Sequence, residues 1–534
     1  MLRNLLEDYI SSLKERDFDI PFLCILLKEG YFDIHFLHGT VEFGKDFIAK
    51  TKKDDKVIQC AFQSKAGDIK TSDFREIRLQ CDEMRDTVLS HPNYDVTLER
   101  ECFLVLTGRL KGNAPLLAQE YDRKCKEKNE IGLTIWDSDI LIEKMLNKQL
   151  GYIGITGDKG NDILISYISK IKRNEIDHNS ICKLIKYWCD VCSSLESKSC
   201  FGIILESAIL TQELRKNSNL YLACSMCLMP LIPIMYNVRK QNIVHMEDYK
   251  NKYFVKIKGN YKRIITDFVN EIDNYDEITE GIYKNFQYGS SSIVTHSINC
   301  SKIIENVGLL GLMLLKEEDY DEANEVGKII INLFNNNIAT THPVSDKYAY
   351  SLIPPMLFLH KLGYQNECEQ IIKKTALWVL DRYEISKLGL AEVNASNYEE
   401  IERLLGYAFE FTEVNNRRES YLLTVLLDLS YAFGFYGIYK DILNDSLVLD
   451  MKPWIISTED DEFQYIMSDN QLIYDNLMYR KEIDETKEKE RLSVHYDTDK
   501  CFASLNNLAW ENLAVLSNLR DRHRMDLIYS ILED

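Results

Sequence analysis

Proline and glycine are scarce in this chain, whose 534 residues include nine prolines and 23 glycines. Such a composition argues against long disordered tracts and favours extended ordered segments. The first residues, MLRNLLEDYI, lack the basic start and apolar core of a secretory signal. No apolar run approaches the ~20 residues that are needed to cross a bilayer. These absences predict a cytoplasmic protein with no membrane span.

The chain also lacks an excess of positive charge. Its formal net charge is −20, and residues 1–150, with 23 basic and 27 acidic side chains, hold only −4 of it. Phosphate contacts need local positive charge, so an acidic chain is a poor non-specific binder of nucleic acid. Any contact with DNA or RNA is therefore expected in the nearly neutral N-terminal part.

The apolar pattern divides the chain into two regions. Helical and strand periods alternate in the order α-α-β-β-β-α-β-α-β-α, which predicts a compact α/β domain over residues 1–150. The glycine-rich segment 151–162 is predicted to be a linker, and it lacks the spacing of a P-loop. Residues 163–534 read as helix after helix. Three apolar helical hairpins at irregular intervals predict a degenerate, solenoid-like helical-repeat region there.

Within the first region, Gly30–Lys65 carries the polar residues best suited to chemistry. Three short strands are predicted, with Asp46 at the start of the second and Gln63 and Lys65 at the end of the third. Side chains alternate along a strand, so Gln63 and Lys65 share one face and Ser64 points away from it. An acid that faces an amide and a lysine on the neighbouring strand suits a site for a metal ion and a phosphate.

An ordered set of residues extends this pattern over positions 15–147. Its members are Phe18-Asp19, Leu26-Leu27, Gly30-Tyr31, Gly39, Glu42-x-Gly44-x-Asp46 and Gln63-Ser64-Lys65, followed by Phe103–Tyr121 and Ile131–Leu146. The order resembles the Mrr-type restriction endonucleases of the PD-(D/E)xK nuclease superfamily. Lys45 stands where the name of the superfamily has proline, and Gln63 stands where many relatives have glutamate.

The resemblance implies a restriction-endonuclease-like fold and a metal-dependent endonuclease that hydrolyses DNA with Mg²⁺ or Mn²⁺. It also implies a prokaryotic restriction or anti-phage role. In this scheme Asp46 and Gln63 bind the metal, and Lys65 contacts the phosphate or orients the attacking water. Asp19 and Glu42 are additional acidic candidates.

Two arginines follow the site on a predicted helix. Arg75 and Arg78 are one helical turn apart, so they either contact phosphates or pair with Glu76 and Asp82 on the same helix. The sequence leaves both interpretations open.

Cysteines and histidines offer a weaker signal. Cys189-x-x-Cys192 and Cys224-x-x-Cys227 have the spacing of zinc ligands. They lie in apolar helical runs without glycine-rich turns, so we predict that they pack in the core as small hydrophobic residues. His35 and His38 are three residues apart on the first strand and face opposite sides, so we predict no shared metal. A packed histidine is favoured over one that faces the site.

Two alternatives to a DNA nuclease remain open. The chain could be a non-enzymatic scaffold, in which a degenerate nuclease fold and the helical region bind a protein partner. It could also cleave RNA, because the site chemistry does not distinguish ribose from deoxyribose. In each case the acidic helical region is expected to act as a sensor, a partner-binding surface or a scaffold for self-association.

Overall fold

The fold is described by a computed structural model, in which an N-terminal α/β region is followed by helices and 70% of the structure is helical. The described residues are 2–14, 18–37, 44–54, 56–89, 91–146, 158–173, 175–176, 178–217, 219–241, 246–272, 292–384, 389–392, 395, 397–405, 418–457, 473–476, 508–519, 528 and 531–532. The chain forms two compact units.

The first unit contains residues 1–170, 190–212 and 245–256. Its N-terminal elements are α1 (Leu2–Ser12), α2 (Asp19–Lys28), β1 (Phe32–Phe36), β2 (Phe47–Lys53), β3 (Lys56–Lys65), α3 (Thr71–Asp86), β4 (Glu99–Leu106), α4 (Ala114–Glu127), β5 (Leu133–Trp136) and α5 (Ser138–Met145). The predicted order of ten elements is confirmed. Asp137 begins α5 as an N-cap, since its carboxylate accepts a hydrogen bond from the N–H of Ile140 at 3.1 Å.

The five strands form one mixed sheet in the order β1-β2-β3-β4-β5. The pairs β1–β2 and β2–β3 are antiparallel, whereas β3–β4 and β4–β5 are parallel. Parallel neighbours need a crossover connection, and α3 and α4 supply the two crossovers. In the register, Phe47 pairs with Phe62 and Lys65 pairs with Leu106. This register brings the start of β2 beside the end of β3.

The two faces of this sheet have different cores. On one face the ring of Phe22 from α2 lies 5.0 Å from Phe47 and 5.2 Å from Phe62, and Trp136 lies 5.9 Å from Phe62. On the other face, Ala61 packs with buried residues of α3 and α4. Because side chains alternate along a strand, the odd-numbered positions of β3 belong to the face that α3 and α4 cover.

Two later segments complete the first unit, which therefore extends beyond the predicted domain of residues 1–150. The thiol of Cys24 in α2 donates a hydrogen bond to the carbonyl of Phe201 at 3.4 Å. The ammonium of Lys256 lies over the ring of Phe36, 3.4 Å from its centre. Helices far along the chain thus cover α2 and β1.

Fifteen α-helices lie after residue 150 in the described part of the chain. They are α6 (Asp158–Arg173), α7 (His178–Val191), α8 (Ser197–Lys216), α9 (Leu220–Leu228), α10 (Leu231–Lys240), α11 (Met246–Tyr249), α12 (Val255–Ile272), α13 (Ser292–Lys316), α14 (Tyr320–Asn336), α15 (Ile353–Lys361), α16 (Gln365–Glu384), α17 (Asn397–Leu405), α18 (Tyr421–Ala432), α19 (Tyr436–Val448) and α20 (Ala509–Leu519). The linker predicted at 151–162 is wrong in its second part, because α6 begins at Asp158. Residues 151–157 lie outside the described residues.

The second unit contains residues 171–189, 213–244 and 257–534. The three predicted helical hairpins are confirmed as α13–α14, α15–α16 and α18–α19. They pack in succession, with α13 against α14 and α15, and α16 against α18 and α19. The helices bury their apolar faces against one another, as helical hairpins must because one hairpin cannot bury its own apolar face alone.

The expectation of helices alone after residue 163 is wrong at one place. Strands β6 (Glu419–Ser420), β7 (Lys452–Ser457) and β8 (Ile473–Asn476) form a small second sheet. The segment KPWIIS of β7 contains aromatic and β-branched residues, which favour a strand over a helix.

Two segments of the second unit, Leu220–Val238 and His296–Lys316, are long and apolar enough to cross a membrane. The prediction that no run reaches this length is therefore wrong. Both segments are 89% buried within the structure, as the core helices of soluble proteins are. Their composition is explained by the core of the second unit.

Candidate functional site

Asp46 lies immediately before β2 and is tied to the strands on both sides. Its N–H donates to the carbonyl of Phe62, and its carbonyl accepts from the N–H of Leu37, each at 2.8 Å. The Oδ2 atom of its carboxylate accepts three hydrogen bonds. The donors are Nε2 of Gln63 at 2.8 Å, the backbone N–H of Ser64 at 2.6 Å and Oγ of Ser64 at 2.9 Å. Three donors thus fix one carboxylate oxygen, and the side chains of Asp46 and Gln63 are in contact.

Ser64 has a role in the site that strand alternation does not predict. Strict alternation predicts that its side chain points away from the site, yet both its hydroxyl and its N–H bind Asp46. Regular pairing of β2 with β3 begins at the Phe47–Phe62 pair. Beyond that pair, the N–H and the hydroxyl of Ser64 donate to the carboxylate of Asp46 and not to a backbone carbonyl of β2. A short acid opposite the end of a strand is the signal that could have indicated this cap.

The turn that precedes Asp46 is clamped onto α3. Lys45 is fully buried, and its ammonium donates to the carbonyl of Thr87 at 2.8 Å and to that of Glu83 at 3.5 Å. The last carbonyls of a helix lack partners within the helix and attract a cation. Burial lowers the pKa of Lys45 to about 8. Gly44 has a φ of +67°, and a Cβ there would lie 2.1 Å from the carbonyl oxygen of Gln80, so only glycine fits.

Lys65 ends β3 two residues after Gln63 and is half-buried. Its carbonyl accepts a hydrogen bond from the N–H of Thr107 at 3.1 Å, which holds the strand end in the sheet. Burial raises the pKa of the Cys81 thiol on α3, and the charge of Lys65 partly opposes this effect. Lys65 therefore lies on the face that α3 covers, which is also the face of Gln63, as alternation predicts.

The oxygen ligands at this site are the carboxylate of Asp46 and the amide of Gln63. As oriented, Gln63 presents its NH₂ group to Asp46, so a shared ion would require the amide to turn its oxygen inward. Mg²⁺ often uses one or two carboxylates and keeps several waters. Among the described residues, no cluster of three or more His, Cys, Asp or Glu side chains could hold a metal. The donor set fits a mostly hydrated divalent ion.

Asp19 has a different neighbour. It lies in the first turn of α2, and this helix packs on the aromatic face of the sheet through Phe22. Burial lowers the pKa of Lys256, and the negative charge of Asp19 partly opposes this effect. By alternation, Asp46 belongs to the opposite face, so the structure associates Asp19 with Lys256. Glu42 lies outside the described residues.

Arg75 and Arg78 of α3 are both exposed and differ in their surroundings. The guanidinium of Arg78 lies over the ring of Tyr121, 5.4 Å from its centre. The carboxylate of Asp82, one proposed partner of Arg78, instead binds Arg85 at 3.2 Å and the hydroxyl of Tyr121 at 2.7 Å. Arg75 forms no salt bridge or hydrogen bond within the described part of the chain, so it is the better placed of the two for a phosphate.

His35 is packed within a hydrogen-bonded group at the β1 edge, in agreement with the prediction. The carboxylate of Asp33 accepts from Nε2 of His35 at 2.8 Å and from the ammonium of Lys50 at 2.5 Å. Asn93 also contacts Nε2 of His35, and the ring of His91 lies 5.1 Å from that of His35. Burial raises the pKa of Asp33, but the hydrogen bonds from Lys50 and His35 outweigh it and hold the pKa below its usual range.

The cysteine pairs behave as predicted for core residues. Cys189, Cys192, Cys224 and Cys227 are all buried, and all four are free thiols. Burial raises the pKa of Cys224 well above its usual value, so its thiol stays protonated at neutral pH.

No family model, no curated protein and no solved structure matches this chain. Its function is therefore argued from the site itself and from the resemblance of its N-terminal residues.

Proposed function

We propose that this chain is a cytoplasmic, metal-dependent endonuclease that hydrolyses phosphodiester bonds in DNA, with a prokaryotic restriction or anti-phage role. The observation that carries the proposal is the carboxylate of Asp46, fixed by Gln63 and Ser64 where β2 meets β3, with Lys65 next along the strand. This arrangement lies in a mixed sheet flanked by helices, within residues that resemble the Mrr-type nucleases.

Asp46 and Gln63 are the side chains that would hold Mg²⁺ or Mn²⁺. When bound, such an ion lowers the pKa of a coordinated water and neutralises charge on a phosphate. Ser64 orients the Asp46 carboxylate through two hydrogen bonds, whereas the Gln63 amide would turn its oxygen toward the ion when the ion binds. Lys65 adds a compact positive charge that suits a phosphate oxygen.

The charge distribution indicates where DNA would approach. Residues 163–534 are strongly acidic and repel phosphates, whereas residues 1–150 are nearly balanced. Arg75 is exposed on α3, the helix that covers the site face of the sheet, and has no salt-bridge partner among the described residues. We expect the duplex to approach from the α3 side of the first unit.

The test is cleavage by the purified full-length protein. Duplex DNA, single-stranded DNA and RNA are each incubated with Mg²⁺, Mn²⁺ or chelator, and the wild type is compared with Asp46→Asn and Lys65→Met. Asp54→Asn and Lys52→Met are matched controls, because both residues are exposed in the same β2–β3 hairpin. We expect metal-dependent cleavage of DNA by the wild type and both controls. The two site variants should lose about 100-fold or more of the rate.

Cleavage at the same rate by the wild type and Asp46→Asn would refute the nuclease proposal. No cleavage by the wild type with either metal would refute it as well. Cleavage of RNA and not of DNA would support the assigned site residues and would identify RNA as the substrate.

One observation favours a second candidate, a non-enzymatic scaffold. The site offers one carboxylate whose Oδ2 already accepts three hydrogen bonds, and an amide stands beside it. A weak donor set of this kind is expected in a degenerate nuclease fold, whose helical region would bind a protein partner or self-associate. The scaffold candidate requires that Asp46→Asn and Lys65→Met leave the biological activity intact.

A further inference from the structure

A groove of about 860 Å³ opens on the second unit, and its lining includes no residue of the candidate nuclease site. Its walls are the end of α14 with the following 3-10 helix Ile338–Thr341, the second half of α16, and the end of α19. Three separate helical elements meet there without filling the space between them.

Exposed aliphatic side chains mark the groove. Val448 is 84% exposed, Ile338 73% and Leu377 67%, and each comes from a different wall. Single exposed hydrophobic residues are ordinary on protein surfaces, but a cluster around one concave site indicates an interaction surface. These three side chains lie where a bound chain segment would cover them.

Aromatic side chains held by a hydrogen bond and ring contacts form one wall of the groove. The indole Nε1 of Trp378 donates to the carbonyl of Pro343 at 3.0 Å, and its ring lies 4.5 Å from the ring of His342. The guanidinium of Arg382 lies 5.4 Å from the centre of the same indole. Burial lowers the pKa of His342, so this ring is neutral at pH 7 and packs as an aromatic surface. A preformed wall reduces the ordering that binding would require.

The charges that line the groove are mainly negative. Asp381, Glu384 and Asp445 contribute three carboxylates, against the single ammonium of Lys374. All four side chains are exposed, and none forms a salt bridge with a described residue. The side chains that line the groove therefore sum to a formal charge of −2. The guanidinium of Arg382 is buried behind the indole and donates to backbone carbonyls, so the exposed charge favours a cationic ligand and disfavours an acidic one.

We infer that this groove binds a short segment of a partner protein that combines apolar side chains with Lys or Arg. The volume alone would also admit a small molecule. The aliphatic side chains, however, are largely exposed on three different walls, and a chain segment laid across the groove would remove all three from water. The inference is independent of the nuclease proposal, because none of its residues lies in the first unit.

A random 12-residue peptide library displayed on phage tests the inference. The full-length protein is the bait, and Leu377→Glu is used for counter-selection. Leu116→Glu is the matched control, because Leu116 is a similarly exposed leucine on α4 of the first unit. Selected peptides are then synthesised, and their binding is measured by fluorescence anisotropy at low and high salt.

We expect the selected peptides to carry net positive charge and at least two apolar residues. They should bind the wild type and Leu116→Glu equally, and Leu377→Glu at least about tenfold more weakly. A double variant, Asp381→Asn with Glu384→Gln, brings the charge of the lining side chains from −2 to 0, so it should weaken binding and reduce its salt dependence.

Three results would overturn the inference. They are peptides without net positive charge, equal binding to the wild type and Leu377→Glu, and no enrichment at all. A small molecule or another segment of this chain as the natural occupant would give the last of these results. Circular dichroism of Leu377→Glu confirms that a loss of binding is not a loss of fold.

Discussion

Replacement of Asp46 by alanine should loosen the end of β3 far more than replacement by asparagine. In the native protein, Oδ2 of Asp46 accepts the Nε2 of Gln63 and both the N–H and the hydroxyl of Ser64. Gln63 is 4% exposed and Ser64 is 3% exposed, so water cannot readily replace a lost acceptor. The carboxylate is therefore a structural cap as well as a candidate ligand.

The hydrogen bonds set the size of the effect. A hydrogen bond to a charged group contributes about 1.5–3 kcal/mol, and a buried donor left without an acceptor costs about 1–3 kcal/mol. Bonds that share one oxygen do not add fully, so we expect Asp46→Ala to cost about 4 kcal/mol. Asparagine keeps a neutral oxygen in place of Oδ2 and should cost about 1–2 kcal/mol.

Hydrogen exchange measures this difference at the right place. The amide of Ser64 can be followed by mass spectrometry of peptides that span residues 57–66 in the full-length protein. Because 1.4 kcal/mol is a factor of ten, its exchange should accelerate about 10³-fold in Asp46→Ala and about tenfold in Asp46→Asn. Asp54→Asn, in the turn of the same hairpin, serves as the unperturbed reference.

Equal exchange of Ser64 in the alanine and asparagine variants would refute this reasoning. So would exchange in Asp46→Ala that is no faster than in Asp54→Asn. If the expected difference is found, the asparagine variant is the proper test of catalysis, because alanine would remove the chemistry and the local fold together.

Three further outcomes follow from the structure. The unfolding free energy of the wild type, measured relative to Lys45→Met, should rise by about 2 kcal/mol between pH 7.5 and 9.5. The native state releases the Lys45 proton near pH 8, whereas the unfolded chain holds it to about pH 10.4, so the free energy of unfolding rises with pH in this window. Equal slopes of unfolding free energy against pH for the wild type and Lys45→Met would contradict the buried ammonium. Gly44→Ala should lower the melting temperature of the first unit and shift the turn before Asp46, because its Cβ would clash with the carbonyl of Gln80. Unchanged hydrogen exchange in peptides that cover this turn would contradict the close approach of Gly44 to Gln80. Lys258→Met should destabilise the second unit by about 3–5 kcal/mol in urea unfolding, because it leaves the buried Glu511, 2.9 Å away, without its cation. Adding Glu511→Gln should recover part of that loss, and no recovery would argue against the pair.

Much of the N-terminal fold could be predicted because its signals are local. Apolar periodicity and β-branched runs predict each of the ten elements within a few residues of its observed bounds. The charged segment KTKKDDK at the junction of β2 and β3 is the exception, because its composition alone favours a loop. The structure continues β2 to Lys53 and turns at Asp54, whose φ of +47° suits a tight turn. A strand end can carry charged residues on both faces when both are exposed, as Lys52 and Lys53 at the end of β2 are, and polar composition alone does not reveal this.

The features of the site that the sequence does not predict are those that depend on contacts between residues far apart in the chain. Alternation predicts that Asp46, Gln63 and Lys65 share a face, because that rule needs only spacing. The cap of Ser64 depends on where regular pairing stops, and the buried Lys45 depends on where α3 ends. The local sequence pattern predicts neither the cap of Ser64 nor the burial of Lys45.

The first unit is assembled from three separate stretches of one chain, and this sets the time at which it can be complete during synthesis. Its last stretch reaches Lys256, which lies over the ring of Phe36. About 100 residues must follow the end of α5 before that cover exists, or roughly 5–20 s at the elongation rates of 5–20 residues per second. During this interval the aromatic edge of the sheet is exposed on the nascent protein. The chain therefore acquires its candidate active-site strands well before it can bury their outer edge, and a chaperone or the ribosome surface would have to shield that edge in the meantime.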